Sequence, residues 1–183
     1  MALRPPTSPK DNMQGNPAAA IELVEYGDYQ CPYCGRAYPI VKAIQQQLGD
    51  NLKFVFRNFP LTKIHPMAKI ASIATEAAGL QGKFWEMHDI IFENQRRLYK
   101  RALLEYAQTI DLQLEKFESD LDDAGLIEKV EADFESGLRS GVNATPTFFV
   151  NGEKFTGNWS DDEFVIFIEI QLEKAGKLNH WPI

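Results

Sequence analysis

Cysteine is scarce in this sequence. Its 183 residues include two, Cys31 and Cys34, and three histidines. A framework of structural disulfides is therefore excluded, and a chain this long can bury a core without one. A structural bridge between cysteines so close in sequence would remove little chain entropy. Two thiols also fall short of the four ligands of a structural zinc site within one chain. Redox chemistry is left as the favoured use of the pair. Basic residues are outnumbered, 19 Lys and Arg against 26 Asp and Glu, giving a formal net charge of −7. A general nucleic-acid binder would carry the opposite field. No apolar run is long enough for a membrane-spanning helix, so no membrane insertion by this chain is expected. The first 17 residues hold four prolines and lack the apolar stretch of a secretory leader. The sequence as it stands predicts a cytoplasmic protein. A removed signal peptide would make it periplasmic or otherwise extracytoplasmic.

What is present is ordinary for a globular protein, 44% hydrophobic and 25% charged. The length suits one domain carrying an insertion. Residues 1–17 read as a flexible, Pro-rich lead-in. The stretch 20–26 reads as a strand that ends in the turn-prone Gly27-Asp28, and its alternation puts Ile21, Leu23 and Glu25 on one face. A helix should start at Cys31-Pro32, because proline is tolerated in the first helical turn. Ala37, Ile40, Val41, Ile44 and Leu48 form its apolar stripe, and Gly49 ends it. A second strand, 52–57, follows. Strand, helix, strand with short connections predicts a parallel βαβ unit.

Residues 61–124 are strand-poor. Helices are expected at 66–78, 83–95, 102–110 and 114–121, and the whole reads as a helical insertion. Residues 18–60 and 125–183 then form the sheet domain. Another amphipathic helix is expected at 126–138. Pro146 opens a strand that turns at Asn151-Gly152 and returns through Lys154. Ser160 and Glu163 have the spacing of a capping box for a last helix. Residues 105–135 hold eleven acids and two bases, read as solvated helix faces. The basic cluster Arg96, Arg97, Lys100 and Arg101 is read the same way. His65, His88 and His180 are each assigned an ordinary structural role.

The chemistry concentrates at Cys31-Pro32-Tyr33-Cys34, directly after a strand and at a helix start. The first helical N–H groups have no intrahelical partners and carry partial positive charge. They favour a thiolate on Cys31. Cys34, one turn later, lies within disulfide reach and can resolve a mixed disulfide. Glu25 has two readings: a buried carboxyl that relays the Cys34 proton, or a strand-end glutamate that reaches solvent. At Thr145-Pro146 the general preference of X–Pro bonds favours trans.

These pieces together resemble the DsbA-like branch of the thioredoxin superfamily. The matching stretches are Val24-Glu25-Tyr26-Gly27-Asp28-Tyr29-Gln30-Cys31-Pro32-Tyr33-Cys34-Gly35, Phe56-Arg57-Asn58-Phe59-Pro60-Leu61, Gly82-Lys83-Phe84-Trp85-Glu86-Met87-His88-Asp89, and Gly141-Val142-Asn143-Ala144-Thr145-Pro146-Thr147-Phe148-Phe149-Val150-Asn151-Gly152. They run in family order over nearly the whole chain after residue 17. The resemblance implies an α/β, thioredoxin-like fold, a central mixed sheet flanked by helices, with 61–124 as its inserted helical lid. It implies Cys31 as exposed nucleophile, Cys34 as the more buried resolving thiol, and Glu25 as the buried acid. It also implies a cis Pro146 packed against the dithiol, with Thr145 pairing to substrate backbone. Pro32 and Tyr33 are expected as further substrate contacts; Tyr29 and Tyr33 have two readings, aromatics that flank the dithiol for substrate or ordinary exposed loop residues.

Better-known periplasmic members carry histidine between their cysteines. Pro32-Tyr33 lacks that cation, so a weaker oxidant is expected. The lead-in around 11–20 looks more like stand-alone cytoplasmic members or domains fused to membrane transporters. The expected partners are polypeptides bearing thiols or disulfides, together with a redox partner that the sequence does not name. No cofactor is implied beyond the cysteine pair, and no metal. The competing readings are a glutaredoxin-like, glutathione-dependent reductase, which shares Cys-Pro-Tyr-Cys but is shorter, a thioredoxin-fold peptide-binding module, and metal handling by the thiols across a dimer.

Overall fold

The computed structural model describes residues 2–176. Five strands among them form one mixed sheet in the order β1-β3-β2-β4-β5. The central strand is β2, Ile21–Gly27, and β3 is Leu52–Asn58. They run parallel, with Glu25 opposite Phe56, as the βαβ reading expects. The crossover between them is α1, Pro32–Leu48, which ends at Gly49 with φ 49°. Ala37, Val41, Ile44 and Leu48 are its buried stripe, while Ile40 is only partly covered.

On the other side of β2 lies β4, Thr147–Val150, antiparallel to it and followed by β5, Glu153–Lys154. Asn151 and Gly152 both have positive φ, 49° and 78°, as a tight hairpin requires. Between β3 and β4 come α2 (Ala68–Gly79), α3 (Phe84–Glu93), α4 (Lys100–Thr109), α5 (Leu114–Asp120) and α6 (Ala124–Arg139). The last helix, α7, is Asp162–Lys174. Its N-cap is Asp161, whose carboxylate accepts the Glu163 N–H at 3.0 Å. The expected Ser160 cap is not used, because Glu163 turns back to the Asn158 N–H at 2.9 Å.

The sheet is covered on both faces. Ile21, Leu23, Phe54, Phe56, Phe148 and Val150 point to one side. They share a continuous core with α1, α7 and the helices of 61–124, through residues such as Ala71, Met87, Ile91 and Leu103. Val24, Tyr26, Val55 and Phe149 point to the other side, against Phe59, Val142 and Leu3. Gly137 of α6 lets that helix close on this face. A Cβ there would lie 2.5 Å from the Phe59 ring.

The lead-in differs from expectation. Asn12–Gly15 is a strand, β1, paired antiparallel to β3, and Leu3 is buried. The cause is Arg57 on β3, a buried guanidinium that needs partners. It donates to both Asp11 carboxylate oxygens at 2.7 and 3.1 Å, to the Pro5 and Pro6 carbonyls at 3.0 and 3.1 Å, and to the Tyr26 hydroxyl at 3.0 Å. Local proline content gives no sign of such a long-range clamp.

Burial alone would raise the Asp11 pKa, but the hydrogen bond and charge of Arg57 outweigh it and hold it below the usual carboxylate value. Its stabilising contribution is therefore present at neutral pH and lost as pH falls through that lowered pKa. Asp11→Ala leaves a buried charge short of its counter-ion. It is expected to cost about 3 kcal/mol of unfolding free energy at neutral pH, read by urea denaturation.

Candidate active site

β2 delivers the chain to Gly27, a short loop follows, and α1 begins at Pro32 with Cys31 as its N-cap. Cys31 has extended backbone angles, φ −70° and ψ 122°, so its side chain sits just before the first helical turn. Cys34, one turn on, points into the core. Both are free thiols. Cys34 is fully buried, and Cys31 is 4% exposed, so Cys31 is more covered than the resemblance implies. The segment that covers it is Thr145-Pro146. That peptide bond is cis, and the Cys31 thiol donates to the Thr145 carbonyl at 3.4 Å.

The two sulfurs differ sharply in acidity. Cys31 is lowered to about 5. A hydrogen bond from Cys34 is the largest cause; burial opposes it, and the Thr145 side chain and the backbone N–H groups of Cys34 and Tyr33 add to it. Those amides are the unpartnered donors of the α1 start. Cys34 is pushed well above the usual thiol value, first by burial and then by Cys31 and the Glu25 charge. Glu25 is 2% exposed on the face of β2 beneath α1, and its Oε1 has no hydrogen-bond partner among the described residues. Burial, with the Cys31 charge behind it, raises Glu25 to about 8. At neutral pH Cys31 is the thiolate, while Cys34 and Glu25 keep their protons.

Other residues shape this corner that sequence reasoning did not single out. Asp28 is completely buried, and its carboxylate accepts N–H groups from Gln30 at 2.7 Å, Cys31 at 3.2 Å and Leu61 at 2.8 Å. Its Oδ2 is also 2.8 Å from His65 Nδ1. Gln95, in the turn that follows α3, donates to the Tyr29 and Cys31 carbonyls, each at 2.9 Å. Asp28 was visible only as a turn-former, and nothing local marks His65 or Gln95.

The remaining expected residues divide. Pro32 and Tyr33 lie at the exposed rim, with Tyr33 56% exposed and the Arg36 guanidinium 4.5 Å from its ring centre. Tyr29 is instead core. It is fully buried, its hydroxyl 3.1 Å from His88 Nδ1 and its ring against Phe56 and Phe92. His88 is buried in that aromatic cluster, and desolvation lowers it to about 3, so it is neutral. His180 lies outside the described residues. Beside Pro146, a cavity of about 270 Å³ is lined by Asn143, Thr147, Phe155, Thr156 and Trp159.

Residues 7–170 match the thioredoxin family. The chain is 42% identical over 153 residues to the Na(+)/H(+) antiporter NhaA 1 of Salinispora arenicola, covering 82% of this chain and 23% of the antiporter. It spans about a quarter of the length of the curated relatives it matches. Among solved structures it is similar to oxidised BdbD from Bacillus subtilis, with a TM-score of 0.80 and 27% identity over 89% of this chain and 93% of that one. Wolbachia pipientis alpha-DsbA1 superposes with a TM-score of 0.81 at 21% identity, over 92% and 94% of the two chains. The chain belongs to the thioredoxin family, and its fold is that of the DsbA-like thiol–disulfide oxidoreductases.

Proposed function

We propose that this chain exchanges disulfides with polypeptides through Cys31 and Cys34. The observation that carries the reading is the split between the two sulfurs at the start of α1: one lowered to about 5, the other held protonated beside a buried acid. In the reductive direction the Cys31 thiolate attacks a substrate disulfide. One substrate sulfur leaves as thiolate, and a mixed disulfide with Cys31 forms. Forming the mixed disulfide removes the Cys31 charge that helps keep Glu25 protonated. Glu25 releases its proton to solvent, and the resulting carboxylate accepts the Cys34 proton as Cys34 attacks Cys31 Sγ and releases the second substrate thiolate. The oxidative direction is the same path reversed. Thr145-Pro146, Pro32 and Tyr33 border the sulfur and receive the extended substrate. The chemistry needs no cofactor beyond the cysteine pair. Which direction prevails depends on the poise of the compartment and on the partner that resets the dithiol.

The match to antiporters favours a second setting for the same chemistry, in which this dithiol acts beside a Na(+)/H(+) transporter. Transport that changes with the redox state of Cys31 and Cys34 would support it.

Cys31→Ser is expected to reduce the chain's acceleration of insulin disulfide reduction to background. Absorbance of the thiolate in the ultraviolet should titrate with a midpoint near pH 5 in the wild-type chain. That acidity lies between those of thioredoxin and the strongest oxidants. The expected reduction potential is accordingly between about −270 and −120 mV, read by equilibration with glutathione; a value at the upper limit would contradict the expected weaker oxidant.

Glu25 makes a separate prediction. Its folded pKa of about 8 lies above the ordinary 4.5, so the folded state holds a proton that the unfolded state releases. The Glu25 contribution to stability should therefore fall as pH rises from about 4.5 to 8, against the rising contribution of Cys31, whose folded pKa of about 5 lies below the ordinary 9. Glu25→Gln should remove the falling part, so that stability rises more steeply with pH in denaturation series, and should slow the Cys34 step of exchange.

A further inference from the structure

Asp28 touches both halves of the dithiol. Its backbone N–H donates to Cys34 Sγ at 3.4 Å. Its carbonyl oxygen and its Oδ1 both accept the Cys31 N–H, at 3.0 and 3.2 Å. Oδ1 also accepts the Gln30 N–H, which closes a side-chain turn over the loop. That turn would suffice to shape the loop.

Oδ2 does something further. It accepts the Leu61 N–H and the N–H of His65 Nδ1, each at 2.8 Å, and so anchors the loop to a distant segment. With both oxygens doubly bonded, the four acceptor positions of the carboxylate are filled. The side chain has no exposure, whereas His65 is partly exposed and ties the hub to the surface. The anchor therefore governs where the Asp28 N–H points.

The direction of that N–H matters to the reaction. A donor bonds more strongly to a charged acceptor than to a neutral one. A sulfur in a disulfide is a poor acceptor, and a departing thiolate is a good one. When a substrate thiolate attacks Cys31 Sγ, the Cys31–Cys34 bond breaks and its electron pair goes to Cys34. The Asp28 N–H is already directed at that atom, before Glu25 supplies the proton. In the reverse reaction the same bond eases loss of the Cys34 proton.

We infer that Asp28, anchored by His65, is a positioning residue for the Cys34 half of the exchange, holding a backbone N–H on Cys34 Sγ where negative charge develops. This rests on the oxidoreductase reading above. It adds a carboxylate–imidazole pair that acts on geometry and is distinct from the proton acceptor Glu25.

The test uses His65→Ala and His65→Asn, because His65 sits on a partly exposed loop and Asp28 itself lies in the core. Each chain is equilibrated in glutathione redox buffers, and the Cys31–Cys34 disulfide is counted by alkylation and mass. The rate at which dithiothreitol reduces the oxidised chain is measured in parallel. Loss of one hydrogen bond's worth of control corresponds to about 3- to 10-fold in either quantity. His65→Ala should shift the equilibrium toward the disulfide and slow reduction by that factor, with little change in melting temperature. His65→Asn, whose side-chain N–H can replace the imidazole N–H on Oδ2, should restore both. If His65→Ala matches wild type in both readouts, the inference is overturned. It is equally overturned if His65→Asn fails as badly and both variants lose melting temperature in proportion, which marks a purely structural contact. If the wild-type chain forms no Cys31–Cys34 disulfide in any buffer, the oxidoreductase reading itself fails, and this inference with it.

Discussion

At the end of β2, three acidic groups compete for negative charge, and the start of α1 decides the outcome. The backbone N–H groups of Tyr33 and Cys34 favour a thiolate at Cys31. Burial disfavours charge on Cys34 and Glu25. In the exchange proposed above neither half works alone. A helix start without the buried acid would give a reactive cysteine and leave Cys34 without the proton acceptor assigned to Glu25. A buried acid without the helix start would leave two neutral thiols. The central strand, the short loop and the proline at the first helical position hold the two halves in register.

Much of the packing serves that corner. Leu23 and Phe56, Phe148 on β4, and the stripe of α1 make the floor on which Cys34 and Glu25 are buried. The helices of residues 61–124 share that floor. They contribute Gln95 to the carbonyls of the cysteine loop, and the connection leading into them supplies His65 to its carboxylate. Their sequence reads as a lid. Their packing makes them part of the same core as the sheet.

Features set by neighbours in sequence were legible. The cysteine spacing, proline at the helix start, the apolar stripe of α1 and the Asn151-Gly152 turn each carry a local signal, and each appears where expected. Features set by contacts across the chain were not. The Pro-rich lead-in becomes a strand because Arg57 recruits Asp11 from 46 residues away. Tyr29 reads as a rim residue, yet His88, 59 residues on, draws it into the core. Asp28 reads as a turn-former, and only the fold reveals that Leu61 and His65 complete its carboxylate. The burial of Glu25 was half legible. Alternation gave its face, but only the sheet order showed that β2 is central.

The sheet edges have a consequence of their own. One edge is β1, four residues long, and the other is β5, two residues long. Unpaired edges are templates on which other chains add as strands and aggregate. Under the function proposed above, partly unfolded clients would bring such chains to the protein at every turnover. With so little free backbone at either border, a client would find few footholds for adhering along the sheet, and release after exchange would not be opposed by a growing ladder of hydrogen bonds. The lead-in, by laying β1 along β3, serves as a selvedge: it keeps the fabric from being extended by whatever it works on.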